Sequence, residues 1–209
     1  ADLLTTECAA LPDTQVHLSE ITTASRRAAD LCDQMHLFAG KSISRPQKLD
    51  LATLVWEMRP ILDVALGKNV ELECDFPPNL PWVRAEVTQI RQVVLNLVSN
   101  AADACKEKES GRVDLRISVR HCDQDFLREC LSGGNATPGD YLCLEVSDTG
   151  CGLDAIGQSR VFDPFYTTKF AGRGLGLSAV LGIVRGCKGA VKVQSNCMKA
   201  AGFQFFCLL

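Results

Sequence analysis

The stretch from residue 85 to residue 108 constrains this chain most. Ile90, Val93, Val94, Leu97, Val98 and Ala101 recur at threes and fours, so a helix here carries a broad apolar face that must be buried. Its other face holds Gln89, Gln92, Asn96, Asn100, Asp103 and Glu107 at the same kind of spacing. The Gln and Glu positions read as a solvated surface. The two asparagines do not, because Asn competes for backbone hydrogen bonds and is a poor choice inside a helix.

The neighbours of this helix set the fold class. A helix is predicted over residues 51–66, interrupted or bent near Pro60, and a short strand over 70–75. Pro77, Pro78 and Pro81 mark a turn region. Residues 113–119 and 141–146 alternate apolar and polar, as half-buried strands do. Residues 122–139 read as a polar loop or insertion, and 149–174 as glycine-rich and irregular. A helix over 175–185 precedes two closing strands, 189–195 and 202–208, paired as a hairpin. Helices mixed with mainly antiparallel strands predict an α+β domain with its helices on one sheet face. Upstream, Val16, Ile21, Ala24, Ala28, Leu31, Met35 and Phe38 form one stripe of a helix over 14–39, and residues 41–46 read as a linker.

Composition excludes some functions. Apolar residues are 46% of the 209, enough for a real core, and the net charge of -3 argues against a dedicated nucleic-acid binder. No apolar run reaches membrane-spanning length; Leu175 to Val184 is too short and holds two glycines. No signal peptide is evident. The eleven cysteines are scattered with no CxxC pair, so they read as reduced thiols used as small apolar residues. These features predict a cytoplasmic protein.

Four local patterns carry chemistry. Amide oxygens such as those of Asn96 and Asn100 are hard ligands suited to Mg²⁺. Asp148-Thr149-Gly150-Cys151-Gly152 directly follows a strand, where a carboxylate accepts well from an exocyclic amine and glycines admit close backbone approach. Phe162-Asp163-Pro164-Phe165-Tyr166-Thr167-Thr168-Lys169 puts three aromatics into an irregular segment, as a lid anchored by docking would. Gly172-Arg173-Gly174-Leu175-Gly176-Leu177 opens a helix, whose free N–H groups suit an anion. Each pattern is weak alone, and the last fits neither a Walker loop nor a Rossmann unit.

Taken in order over about 80 residues, the four resemble the N box, first glycine box, F box and second glycine box of histidine kinases. The resemblance covers most of residues 47–209. It implies a two-layer α/β sandwich of a mixed sheet and three helices, an ATP-binding catalytic domain. Residues 1–40 resemble part of the family's dimerisation and phosphoacceptor hairpin, with the acceptor helix mostly missing. The implied catalytic residues are Asn96 and Asn100, with Asn100 holding Mg²⁺ between ATP phosphates. The implied nucleotide contacts are Asn100, Asp103, Asp148, Gly150, Gly152, Phe162, Phe165, Thr168 and Lys169, together with Gly172, Arg173, Gly174, Leu175, Gly176 and Leu177. Asp148 would bind the adenine amine.

Hydrolysing relatives carry a glutamate where Asn96 stands. An amide takes no proton at neutral pH, which favours transfer to a side chain over hydrolysis. None of His17, His36 and His121 is followed by an acidic residue, as the family's acceptor is. The acceptor is therefore expected outside this chain, on the same or a partner protomer. The implied partners are that histidine helix, a second protomer in a homodimer, and a response-regulator receiver domain. The alternatives are an ATP-hydrolysing relative and a non-catalytic adaptor that kept the fold. Cys187, Arg173 and the turn at Asn196–Ala201 depart from the usual pattern.

Overall fold

The structure is a computed structural model describing residues 17, 18, 20–22, 25, 46–131, 136–168, 174–196 and 200–209. The described residues between 17 and 25 are helical. The remainder of the expected 14–39 helix, the hairpin and the linker except Pro46 lie outside the described residues.

The domain opens with β1 (Gln47–Leu49) and α1 (Leu51–Leu66), then β2 (Val70–Asp75) and β3 (Val83–Ala85). The long helix is α2 (Val87–Cys105), followed by β4 (Gly111–Cys122) and a short α3 (Gln124–Glu129). After it come β5 (Gly139–Asp148), a short α4 (Ala155–Arg160), α5 (Gly176–Gly186), β6 (Ala190–Asn196) and β7 (Ala200–Leu208). Five strands form one mixed sheet in the order β2-β4-β5-β7-β6, with β2 and β4 parallel and the remaining pairs antiparallel. A parallel neighbour needs a crossover, and the connection containing α2 supplies it. β1 and β3 pair as a separate antiparallel ribbon, which three-residue strands gave the sequence reading no periodicity to find.

The two faces of the sheet differ because side chains alternate along each strand. Val113, Leu115 and Ile117 of β4, Leu142, Leu144 and Val146 of β5, and Phe203 and Phe205 of β7 share the main core. The β4 and β5 residues meet α2, which also packs on α1 and α5, while β7 meets α5. Buried Leu54, Met58 and Leu62 line the inner side of α1. In α5 every residue from Leu177 to Val184 is buried, the mark of a helix covered all round. Tyr141 and Cys143 of β5 and Phe206 of β7 point the other way, into a second cluster with Leu127.

That second cluster needs a cover, and α3 is part of it. Residues 122–139 are thus not simply a loop. Asp123 caps α3, accepting from the Phe126 N–H at 2.8 Å, and Phe126 packs edge-on against Phe206 with centroids 5.3 Å apart. The stretch 149–174, which reads as irregular, likewise holds a short helix: Asp154 caps α4 by accepting from the Gly157 N–H. Both helices have six residues, too few for a period to emerge, and only the capping aspartates signal them. α1 runs uninterrupted through Pro60, which is solvent-exposed, so the carbonyl freed by the missing N–H can be hydrated.

Leu97 is fully buried at the centre of α2, facing the sheet. Replacing it with Ala deletes three carbons from a close-packed interior. The expected loss is about 2–5 kcal/mol in urea unfolding, with little change in the denaturant slope.

Candidate nucleotide site

The polar face of α2 is where the motif segments meet. Glu86 starts the helix by accepting from the Thr88 and Gln89 N–H groups at 3.0 and 2.8 Å. Two turns on, the Gln92 amide donates to Asn96 Oδ1 at 3.0 Å. The Asn96 amide in turn donates to the Gly176 carbonyl at 2.9 Å, so it grips the first turn of α5. A Cβ placed on Gly176 would stand 3.6 Å from the Asn96 amide and 3.9 Å from that of Asn100. Both asparagines therefore border the N-terminus of α5, and both are half-buried.

One turn beyond Asn100, the same helix meets the end of β5. A Cβ on Gly150 would lie 2.6 Å from the Ala104 carbonyl carbon and oxygen, far inside contact distance. Only glycine lets the chain pass there. The Cys151 N–H donates to the Ala104 carbonyl at 3.2 Å and closes the contact. Thr149 is tied to β4: its N–H donates to the Arg112 carbonyl, and its hydroxyl accepts from the Arg112 N–H, both at 3.0 Å. Lys108 Nζ donates to the Thr149 carbonyl and brings a positive charge to this loop.

Asp148 ends β5 on the core-facing side, in register after Leu142, Leu144 and Val146. Its carboxylate occupies a place where an apolar side chain would be ordinary, and it is 3% exposed. Asp148 and Ser178 are the buried polar side chains among the described residues, and both fall within or next to a predicted motif. Burying a carboxylate is costly unless hydrogen bonds compensate. The Gly150 N–H supplies one at 2.8 Å. Cys105 lies close by; burial pushes its thiol pKa up, and the Asp148 charge adds to the effect.

The segment after α4 is held at both ends. Phe162 is buried in the main core, edge-on to Phe203 at 6.2 Å. Phe165 is 64% exposed and has a positive φ of 67°. Its N–H donates to the Gly174 carbonyl at 2.9 Å. Gly174 has φ 63°, and a Cβ there would stand 2.5 Å from the Phe165 carbonyl carbon. The chain thus leaves at residue 165 and returns at 174 against itself. The Arg160 guanidinium stacks over the Tyr166 ring at 4.6 Å and braces the exit.

At the return, α5 begins without a side-chain cap. Leu175 is the capping residue and makes no side-chain hydrogen bond, while Ser178 Oγ donates back to its carbonyl at 2.9 Å. First-turn N–H groups left in this way suit an anion.

Of the residues expected to bind nucleotide, Asn100, Gly174, Leu175, Gly176 and Leu177 gather at the meeting of α2 and α5. Leu175 and Leu177 are buried and serve as packing anchors for that turn. Asp148, Gly150 and Gly152 lie in the loop against the end of α2, and Gly152 has φ 69°. Asp103 faces Lys106 in an ion pair at the end of α2. Thr168 is exposed. Lys169, Gly172 and Arg173 lie outside the described residues. Sequence reasoning missed Ala104, Lys108 and Ser195. Ser195 accepts from the Leu153 N–H at 2.7 Å and fastens the glycine loop to β6. None of the three has a local signature, because each acts through a neighbour distant in sequence.

A mixed sheet under three helices, a carboxylate at a strand end and asparagines bordering an uncapped helix start define a nucleotide-binding ATPase fold. Residues 85–208 match the family described as histidine kinase-, DNA gyrase B-, and HSP90-like ATPase, and the chain belongs to it. It is 34% identical to the sensor kinase CckA of Brucella abortus (strain 2308), over 99% of this chain and 22% of that protein. It is 30% identical to the sensory histidine kinase/phosphatase NtrB of Azospirillum brasilense, over 81% of this chain and 41% of that protein. The chain thus spans less than half the length of either relative. Among solved structures, full-length ShkA in complex with AMPPNP superposes with a TM-score of 0.70 at 22% identity, over 94% of this chain and 39% of that one. The nucleotide-free catalytic domain of ThkA superposes with a TM-score of 0.59 at 23% identity, over 78% of this chain and 95% of that one. The chain therefore contains a histidine kinase-type ATPase domain homologous to those of sensor kinases.

The contact between Gly150 and Ala104 gives a direct test. Gly150→Ala must force β5 and α2 apart. Urea unfolding should show a loss of about 1–3 kcal/mol, the usual cost of overpacking.

Proposed function

We propose that this chain is the ATP-binding catalytic part of a two-component sensor histidine kinase. Its domain, residues 47–209, transfers the ATP γ-phosphate to a histidine outside this chain, for onward transfer to a receiver domain. Residues 1–40 are then part of a dimerisation hairpin, joined by the linker at 41–46, and the parent is a cytoplasmic-facing homodimer. One observation carries the reading: about two turns apart on the same helix, α2 touches the strand-end glycine loop at Ala104 and the start of α5 at Asn96. A purine triphosphate lying along that face has its base toward Asp148 and its phosphates toward Asn100 and α5.

Each residue has a role that follows from its chemistry. Asp148, already anchored by Gly150, accepts the hydrogen bond of the adenine exocyclic amine. Asn100 offers an amide oxygen to Mg²⁺, which prefers oxygen and is commonly bound through few protein ligands plus substrate phosphates. The described residues contain no cluster of three or more His, Cys, Asp and Glu side chains to hold such an ion by themselves, so phosphate oxygens complete its shell. The ion, when bound, neutralises charge on the phosphates. The N–H groups of the first turn of α5 face the phosphate end. Asn96 positions that turn rather than facing ligand, because its amide nitrogen already donates to Gly176. Being an amide, it is no base for water, which favours transfer over hydrolysis.

ATP with Mg²⁺ at a hundred times its Kd should stabilise the fold by about 2.7 kcal/mol. That raises Tm by roughly 5–10 °C for a domain of this size. A melting curve unmoved by millimolar ATP would overturn the nucleotide reading.

Two variants separate the ends of the site. Asn100→Ala should weaken ATP binding about tenfold in Mg²⁺ and leave metal-free binding nearly unchanged, as read by calorimetry. Asp148→Ala should lower ATP affinity about 10- to 100-fold, the worth of a hydrogen bond to a charged group, and remove its preference over GTP. Circular dichroism checks that this variant still folds. Kinase activity is read as labelled phosphate passed from ATP to a separately supplied acceptor helix hairpin; phosphate release without transfer would identify a hydrolase instead.

A further inference from the structure

Gln92, Asn96 and Asn100 follow one another at intervals of four, so they stand in line along α2. All three are half-buried. Gln92 and Asn96 differ from an ordinary surface pair, because Asn96 also reaches across to another helix. Its amide nitrogen donates to the Gly176 carbonyl at 2.9 Å, and its oxygen accepts from the Gln92 amide at 3.0 Å.

The polarity of this relay is dictated from one end. A carbonyl can only accept, so the Asn96 group that faces Gly176 must be its NH₂. The Asn96 oxygen then faces back along the helix, and Gln92 answers with its own NH₂. One hydrogen bond would leave the Asn96 amide free to swing about its side-chain torsions. The second, from Gln92, fixes its plane. A carboxylate at residue 92 would have the same shape and the opposite effect. It would present an acceptor to the Asn96 oxygen, favour the inverted amide and set two oxygens against each other at Gly176.

The turn held in this way borders both asparagines, since a Cβ on Gly176 would stand 3.9 Å from the Asn100 amide nitrogen. No side chain caps that turn. The base end of the site lies about three turns further along α2 and is held by separate contacts, Gly150 on Ala104 and the Gly150 N–H on Asp148.

We propose that Gln92 is a positioning residue for the phosphate end of the site: it orients the Asn96 amide, and through it sets the first turn of α5 against Asn100. The role rests on the nucleotide reading, since the triphosphate is what this turn meets. Its effect is selective: without the Gln92 donor the grip on the phosphates weakens and the grip on the base does not.

The test uses the 209-residue chain. Gln92→Met keeps the length of the side chain and removes the donor; Gln92→Glu turns the donor into an acceptor. Calorimetric titration with ATP and Mg²⁺ reads the phosphate end, and adenosine, which has no phosphate, reads the base end. ATP affinity should fall about threefold in Gln92→Met, with adenosine affinity within about twofold of wild type. In an Asn96→Ala chain the same substitution should change ATP affinity by less than about 1.5-fold, because the relay is already cut. Hydrogen exchange of the nucleotide-free chain reads the turn directly. The N–H groups of Ala179 and Val180 are the first that α5 hydrogen-bonds within itself, Ala179 to the Leu175 carbonyl at 2.9 Å. They should exchange about tenfold faster in Gln92→Glu, while those of β4 and β5 keep wild-type rates and show that the variant folds. Unchanged exchange at Ala179 and Val180, equal losses of ATP and adenosine affinity, or a Gln92→Met effect that persists in full beside Asn96→Ala would each overturn the proposal. A wild-type chain that takes up no ATP would sink the nucleotide reading instead, and the exchange rates would still decide whether Gln92 holds the turn.

Discussion

The end of β5 presses on the last turn of α2 so closely that residue 150 has no room for a side chain. This contact governs the site. It sets where the strand stops, directs Asp148 into the core face, and turns the following loop along the helix. Midway along the helix, about two turns earlier, the same face is held by Asn96, which grips the first turn of α5. A rigid helix between two such contacts keeps a strand end and a helix start at a set separation. Side chains on mobile loops would not hold that geometry.

Interior polarity is concentrated where it has a use. Among the described residues Asp148 and Ser178 are the buried polar side chains, and Asp148 is the one that carries a carboxylate. A buried carboxylate weakens a domain unless it is compensated, which makes Asp148 a candidate ligand contact rather than a packing residue. The carboxylate accepts from the Gly150 N–H, while Thr149 and Lys108 fix the loop from β4 and from the end of α2. The exposed ion pairs, such as Arg91 with Glu57, add little by comparison.

Long elements were legible and short ones were not. The apolar periods of residues 51–66, 85–108 and 175–185 correspond to α1, α2 and α5, with ends shifted by at most a few residues. The alternation in 113–119 and 141–146 marked the centres of β4 and β5, which extend further because their polar ends pair as well. The ribbon of β1 and β3, and the helices α3 and α4, are too short for any period. Asp123 and Asp154 were the traces they left. In the site, Asp148, Gly150, Gly174 and Gly176 could be picked out because unusual residue types stand at element ends. Ala104, Lys108 and Ser195 could not, being ordinary residues made important by what folds against them.

Residue order alone determined the elements, the face of α2 that is buried, and the succession of motifs that marks an ATPase of the histidine kinase kind. Those are properties of local periodicity and of residue chemistry. Tertiary structure decided which ends meet: that β5 finishes against Ala104 and that Asn96 holds α5. Such contacts join residues up to about eighty positions apart. They arise from strand order and close packing, which no short window of sequence contains.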